Sequence, residues 1–293
     1  VAVTGPEATG AVQGRASAVT APILPVGYDK LTPAYRRAGT LHERVRPGGP
    51  AGQRANGVRR RVWRMCGRYA TTKSEADLGE LFDAVAISEA PAASWNVAPT
   101  DPVPLIRMSE RHDARVVDTA RWGLVPPWAE DLRAGSRMIN ARAETVAQSP
   151  AFAPSFQRRR CLVPADGWYE WVRTGKQRQA YYMTPLDSSV LAFAGIWTMW
   201  RGEALTCSVL TTAALGGLRS VHDRMPLILP AERWPAWLAG GGDAGELLRP
   251  LPEHELAAIE VRPVGPGVGN VRNNGPELIA PAAAPAKLEA TLF

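Results

Sequence analysis

From Val103 onward, apolar residues alternate with polar ones along much of the chain, and a period of two marks half-buried strands. Val103–Met108 and Arg115–Trp122 flank the polar stretch Glu110-Arg111-His112-Asp113, a pattern that predicts a hairpin. Further strands are expected at Arg160–Val163, Trp168–Val172, Ala180–Thr184, Val190–Trp197, Leu205–Thr211, His222–Leu229 and Ala258–Val264, with turns at Thr174-Gly175 and Arg201-Gly202. Helical spacing is brief. Ser74 followed by Glu75, Asp77, Leu78, Leu81 and Phe82 predicts an N-capped amphipathic helix of about ten residues. Short helices are expected at Ala231–Leu238 and Gly245–Leu248. Many closely spaced strands with few short helices predict an α+β fold: a single domain on a curled, barrel-like, mostly antiparallel sheet.

The first 64 residues do not share this pattern. Ala, Gly, Pro and Arg fill 35 of the 64 positions, Phe is absent, and neither a strand nor a helix period runs through them. Such a segment buries too little apolar surface to offset its ordering entropy, so residues 1–64 are expected to be a disordered extension or upstream sequence preceding the true start. The domain is expected over residues 65–280, followed by a flexible tail over 281–293.

Net charge changes meaning once the chain is divided. Of 34 basic and 28 acidic residues, the first 64 positions hold 11 and 3, leaving 23 and 25 for the rest. Bulk charge therefore gives no argument for nucleic-acid binding by the domain. Residues 104–178, with 13 basic and 8 acidic side chains, allow one basic face. The three cysteines, Cys66, Cys161 and Cys207, lack metal-type spacing, so neither a metal nor another cofactor is expected, and free thiols fit a cytoplasmic location. No apolar run approaches the ~18 residues of a membrane span. Cys161 and Cys207 lie in apolar runs and read as core; Trp168, Tyr169 and Trp171 read mainly as packing residues. Arg158-Arg159-Arg160 fits a solvated strand edge as well as a phosphate contact.

Several segments set polar groups among apolar, Pro or Gly neighbours: Met65-Cys66-Gly67-Arg68, Asn96-Val97-Ala98-Pro99, Trp122-Gly123-Leu124-Val125-Pro126, Asn140-Ala141-Arg142-Ala143-Glu144-Thr145, Pro164-Ala165-Asp166-Gly167-Trp168-Tyr169-Glu170-Trp171 and His222-Asp223-Arg224-Met225-Pro226. Taken singly they are weak signals. In this order, over some 200 residues, they resemble the SRAP family, the abasic-site processing proteins once named SOS-response-associated peptidases.

The resemblance implies a covalent reaction with the aldehyde of a ring-opened abasic deoxyribose. A cysteine at a free N-terminus offers an amine for an imine and a thiol that closes a thiazolidine. The α-amine, with a pKa near 7.7–8.0, is neutral in roughly a tenth or more of molecules at pH 7, unlike lysine. By resemblance, Cys66, Asn96, Glu144 and His222 form the catalytic set: Glu144 as acid/base, His222 as proton donor to the sugar or leaving group, and Asn96 as a hold on the amine or sugar. Arg68 and Arg142 are expected on phosphates, and Trp122 either stacks on a base or packs in the core. The expected partner is single-stranded DNA with abasic sites, including junctions with duplex, bound by a monomer.

The chemistry requires Cys66 to be terminal, so translation starts at Met65 with that Met removed, a protease exposes Cys66, or the reaction has been lost. Two other readings use the same residues: a cysteine peptidase or self-cleaving protein with Cys66, Glu144 and His222, and a non-catalytic DNA-binding module.

Overall fold

The computed structural model describes residues 1–2, 67–241 and 245–282. Ser74 opens α1 (Glu75–Phe82) by a reciprocal cap: its hydroxyl accepts the Asp77 N–H at 3.2 Å, and the Asp77 carboxylate accepts the Ser74 N–H at 3.1 Å. Leu78 and Phe82, four residues apart, point the same way and are fully buried; Asp83, in the left-handed region at φ 48°, ends the helix. The other α-helices, α2 (Ala153–Arg158), α3 (Trp234–Leu238) and α4 (Glu253–Leu256), are shorter still.

Thirteen strands carry the fold among the described residues: β1 (Tyr69–Thr71), β2 (Val85–Ala86), β3 (Ser94–Val97), β4 (Pro102–Ser109), β5 (Ala114–Trp122), β6 (Asn140–Arg142), β7 (Arg160–Ala165), β8 (Gly167–Thr174), β9 (Gln177–Pro185), β10 (Leu191–Trp200), β11 (Ala204–Ala213), β12 (Arg224–Pro226) and β13 (Ile259–Val264). The predicted hairpins form. Ser109 faces Ala114 across the β4–β5 turn, and Thr174 faces Gln177 across a turn with Gly175 at φ 62°, where a side chain would be strained. β11, β10, β7, β4 and β5 pair in succession, and a parallel contact of Thr206 and Cys207 with Arg121 and Trp122 returns β5 to β11. The result is a closed ring of five strands, which removes two sheet edges. A second sheet runs in the order β13-β9-β8-β1-β3.

Both faces of β7 and β10 are largely buried, which explains why their apolar runs are nearly continuous. Cys161, Val163 and Phe193 pack with Tyr69, Trp168, Tyr181 and Met183 of the second sheet. Leu162, Ala194 and Ile196 pack instead with Leu78, Phe82, Phe156 and Trp237 from the helices. Burying one such side chain stabilises the fold by roughly 1.5–3 kcal/mol.

The observed elements depart from the sequence reading in four places. The strand expected over His222–Leu229 shrinks to Arg224–Pro226, because Leu227 and Leu229 turn their N–H groups to Leu210 and Ala192, and His222 sits in the preceding turn. Arg160 is no solvated edge: it is buried, its Nε donating to Phe156 O at 2.8 Å and its Nη2 to Gly241 O at 3.0 Å, over the rings of Phe156 and Trp237. Pro281 and Ala282, expected in a flexible tail, belong to the fold, since Pro281 bridges Val264 and Ala282 N donates to Pro263 O; residues 283–293 lie outside the described residues. β1, β3 and β6, of three or four residues, were too short to stand out as periods. The extension, residues 1–64, lies outside the described residues except for Val1 and Ala2. All named elements fall within one unit, Arg60–Phe293.

Candidate nucleic-acid processing site

Cys66 lies outside the described residues; the description begins one peptide bond later, at Gly67. The strand that follows lies along β8. Tyr69 pairs with Trp168, Ala70 with Gly167, and Tyr169 N–H donates to Arg68 O at 3.0 Å. This register puts Arg68 beside Tyr169, one position short of Glu170 on β8.

Glu170 follows Trp168 by two positions, so strand alternation puts its carboxylate on the face that Trp168 fills with core packing. It is only 3% exposed, yet it lines a cleft of about 350 Å³ with Trp171, Arg173, Arg178, Arg219, Val221, His222 and Asp223. Arg178 lies 4.5 Å from the Trp171 ring centroid, and burial lowers its pKa below the usual range while Glu170 opposes that shift. A buried carboxylate, an imidazole and three guanidiniums in one cleft suit an anionic substrate that undergoes proton transfer.

His222 is held so that either protonation state has a partner. The Arg224 N–H donates to Nδ1 at 3.0 Å, which leaves the neutral ring's hydrogen on Nε2. Asp223 Oδ1 lies 3.0 Å from the same Nδ1 and would accept its proton in the imidazolium.

Glu144 occupies a different place. Arg224 grips it with two bonds, Nη1 to Oε1 at 2.5 Å and Nη2 to Oε2 at 2.9 Å, while Nη2 also reaches Thr211 O. These bonds hold the Glu144 carboxyl below the usual carboxylate range, helped by nearby Arg142. Glu144 is thus joined to His222 through Arg224 but does not line the His222 cleft. A carboxylate whose pKa is pulled down is a poor proton donor near neutrality.

Asn96 also departs from its expected role. It is 3% exposed, and its Nδ2 donates to Asn270 O at 3.0 Å and to Asn273 O at 2.9 Å, while its Oδ1 accepts from Arg68 Nη1 at 2.7 Å. Both amide hydrogens are engaged inside the protein. Asn140, at the head of β6, shares a strand face with exposed Arg142, and the intervening Ala141 is buried in the core.

Arg68 is half-buried, bonded to Asn96 and to Val268 O at 2.8 Å; burial lowers its pKa and Asp101 opposes the shift. Trp122 is a core residue. It is 1% exposed, packs edge-on against Tyr69 at 5.1 Å and donates Nε1–H to Ile139 O at 2.9 Å, so no base can stack on it. Trp128, six residues on, is 71% exposed. The loop between them is fixed where Gly123, at φ 129°, passes so close to Gly135 that a Cβ on either would strike the other's carbonyl. Cys161 and Cys207 are both fully buried, and burial pushes the Cys207 thiol up to about 12.

The sequence reading missed Glu170, Arg224, Asn140 and Trp128. Each lies within or just beyond a motif already singled out. The signal for Glu170 was a carboxylate at a core-facing position of an aromatic strand. Among the described residues no cluster of His, Cys, Asp or Glu could hold a metal ion, and no helix is long and apolar enough to cross a membrane.

Fold and cleft define a barrel protein with a basic cleft around a buried carboxylate and a histidine. The SRAP family profile, SOS response associated peptidase, matches residues 65–271, and the chain belongs to that family. It is 36% identical over 226 residues to abasic site processing protein YoqW of Bacillus subtilis, covering 73% of this chain and 99% of that protein. Abasic site processing protein YedK of Escherichia coli is 34% identical over 230 residues, covering 74% and 100%. A crystal structure of a Bordetella bronchiseptica protein matches with a TM-score of 0.59 at 27% identity, over 68% of this chain and all of that one. A Bacteroides thetaiotaomicron protein shares the fold, with a TM-score of 0.64 at 22% identity over 74% of this chain and all of that one.

Proposed function

We propose that this protein processes abasic sites in single-stranded DNA, including sites near a junction with duplex, through a covalent adduct with Cys66 at the N-terminus of the working form. The observation that carries the reading is the register of β1 on β8, which directs the residues just after Cys66 alongside Glu170 in the cleft shared with His222. Family membership and the names of the relatives support the same substrate.

In this reaction the Cys66 amine adds to the C1′ aldehyde and expels water as an imine. The Cys66 sulfur then adds to the imine carbon, the nitrogen takes up a proton, and the five-membered ring closes. Glu170, buried beside cationic groups, relays protons at the amine and the departing water. His222, as the imidazolium whose Nδ1 proton faces Asp223, gives its Nε2 proton to the deoxyribose ring oxygen as the sugar opens and is left neutral with the Nδ1 proton. Asn140, which shares a strand face with exposed Arg142 at the head of β6, orients the amine or sugar. Arg142 and the cleft arginines hold phosphates, and Trp128 supplies the stacking surface first sought at Trp122. Glu144 fixes Arg224 and through it the Nδ1 side of His222.

The test mixes a chain beginning at Cys66 with abasic and with intact single-stranded DNA. A thiazolidine predicts an adduct that survives boiling in detergent, has the summed mass less one water, gains no hydrogen from borohydride and forms only with abasic DNA. An adduct trapped only by borohydride would limit the chemistry to an imine. No adduct, with peptide hydrolysis that depends on the Cys66 thiol, would favour the peptidase reading.

A further inference from the structure

We infer that Asn96 is a positioning residue, the centre of an amide lock that straps the loop from Gly265 to Asn274 onto Arg68 and so fixes the strand leading to Cys66. The inference rests on the reading of the cleft just given. β1 needs outside support: it has three residues, and its pairing with β3 slips register between Tyr69 and Thr71. So short a ladder holds an end poorly.

The strap supplies what the ladder lacks. Arg68 Nη1 donates both to Asn96 Oδ1 at 2.7 Å and to Val268 O at 2.8 Å, so the guanidinium joins β1, β3 and the loop. Asn96 Nδ2 reaches the Asn270 and Asn273 carbonyls from the other side. Asn274 clips the loop's end to β3, its Oδ1 accepting from Trp95 N at 2.8 Å and its Nδ2 donating to Ala93 O at 3.2 Å. Within the loop, Asn273 Nδ2 donates to Gly267 O at 2.9 Å, and Val268 is fully buried against Tyr169 and Tyr182. Three asparagines that the sequence leaves as loop residues thus act together with Asn96. An amide is required at position 96 because it must give two N–H bonds and accept one from a cation; a carboxylate of the same shape keeps the second task and loses the first.

Asn96→Asp separates these tasks. The readouts are the crosslinking rate as a function of abasic DNA concentration, with backbone hydrogen exchange measured on the protein alone. The lock predicts faster exchange over residues 266–274 and in β1. It also predicts a maximal crosslinking rate lower by about ten- to a hundredfold, as expected for a misplaced reacting group. The half-saturating DNA concentration should change by less than about twofold. Asn274→Ala, at an exposed position, should move the same quantities less and in the same direction, and it serves if Asn96→Asp does not fold. Unchanged exchange over the loop would overturn the lock whatever the chemistry does. Faster exchange with an unchanged maximal rate would show that the loop does not position the site. A weaker half-saturation with an unchanged maximal rate would make Asn96 a DNA-binding determinant instead. A wild-type chain that forms no adduct yet shows the loop protected would overturn the cleft reading and leave the lock itself standing.

Discussion

Two corners of the molecule are built from a glutamate, arginines and neighbouring strands, and they give the carboxylate opposite exposure to water. At the barrel corner, Glu144 is half exposed and closed into a bidentate pair with Arg224, which itself bonds Thr211 on β11. At the second sheet, Glu170 is buried on the core-facing side of β8, where Arg173, Arg178 and Arg219 share its cleft. The first carboxylate has its charge fixed by two short bonds and serves as a brace. The second has been taken out of water in a cleft that His222 also lines. Residue type and motif membership were equal for the two; burial separates them.

The comparison breaks most readily at the two glutamates. Glu170→Gln should slow adduct formation by about 10²–10⁴-fold with little change in DNA affinity, as removal of a general acid–base group does. Glu144→Gln should change the rate far less. If Glu144→Gln slows the reaction more than Glu170→Gln in a single-turnover assay, the assignment is reversed.

The two tryptophans give a parallel contrast between a buried and an exposed group. Trp122→Ala should cost about 3–5 kcal/mol of stability in denaturant unfolding, because it empties a buried site and removes one of the two N–H donors to the Ile139 carbonyl. Trp128→Ala should leave stability within about 0.5 kcal/mol and weaken binding to single-stranded DNA by about 1–3 kcal/mol. Equal DNA affinity for wild type and Trp128→Ala would remove Trp128 from the interface.

The buried thiols give a pH-dependent contrast with Cys66. Burial holds the Cys207 thiol protonated up to about pH 12, and Cys161 is shifted in the same direction. An unfolded thiol ionises near 8.5. Above that pH the unfolded chain has released protons that the folded chain keeps, so stability should fall as pH rises from about 8.5 toward 12. Replacing Cys161 and Cys207 with Ala should flatten that fall. At pH 8 an alkylating reagent should modify Cys66 in the native protein and leave the two core thiols unreacted; modification of all three would contradict their burial.

Smaller effects belong to the edges of the cleft. Arg142→Ala should lower the salt dependence of DNA binding by roughly 0.7 in logarithmic slope, the share of one single-strand phosphate. Breaking the Glu144–Arg224 pair should cost at most about 1 kcal/mol, as expected for a pair with one exposed partner. The Glu144 carboxyl is pulled below the usual range, so this contribution is present at neutral pH and disappears as acid protonates it.

What could be read along the chain follows from range. The β4–β5 and β8–β9 hairpins and the capped helix α1 depend on residues a few positions apart, and they appear close to where alternation and capping put them. Ring closure was beyond such reading, because the contact of Cys207 with Trp122 spans 85 positions and carries no local pattern. The site divides in the same way. His222 and the motif that holds it could be named from sequence. The bonds that engage Glu144 and Asn96 could not be read locally, because Arg224 reaches across 80 positions to Glu144 and Asn96 spans 174 and 177 positions to Asn270 and Asn273. Trp122 and Trp128 differ only in which side of a fixed loop they occupy.

The central claim is that Cys66 reacts through both its amine and its thiol beside the cleft. The measurement that tests it most directly is the initial rate of heat-stable adduct formation with abasic single-stranded DNA, compared between a chain that begins at Cys66 and one with a single added residue before it. The account predicts a stable adduct from the first chain and none from the second, although the second keeps a titratable thiol and still binds the DNA. Equal rates from the two chains would contradict the account and leave the thiol as an ordinary nucleophile.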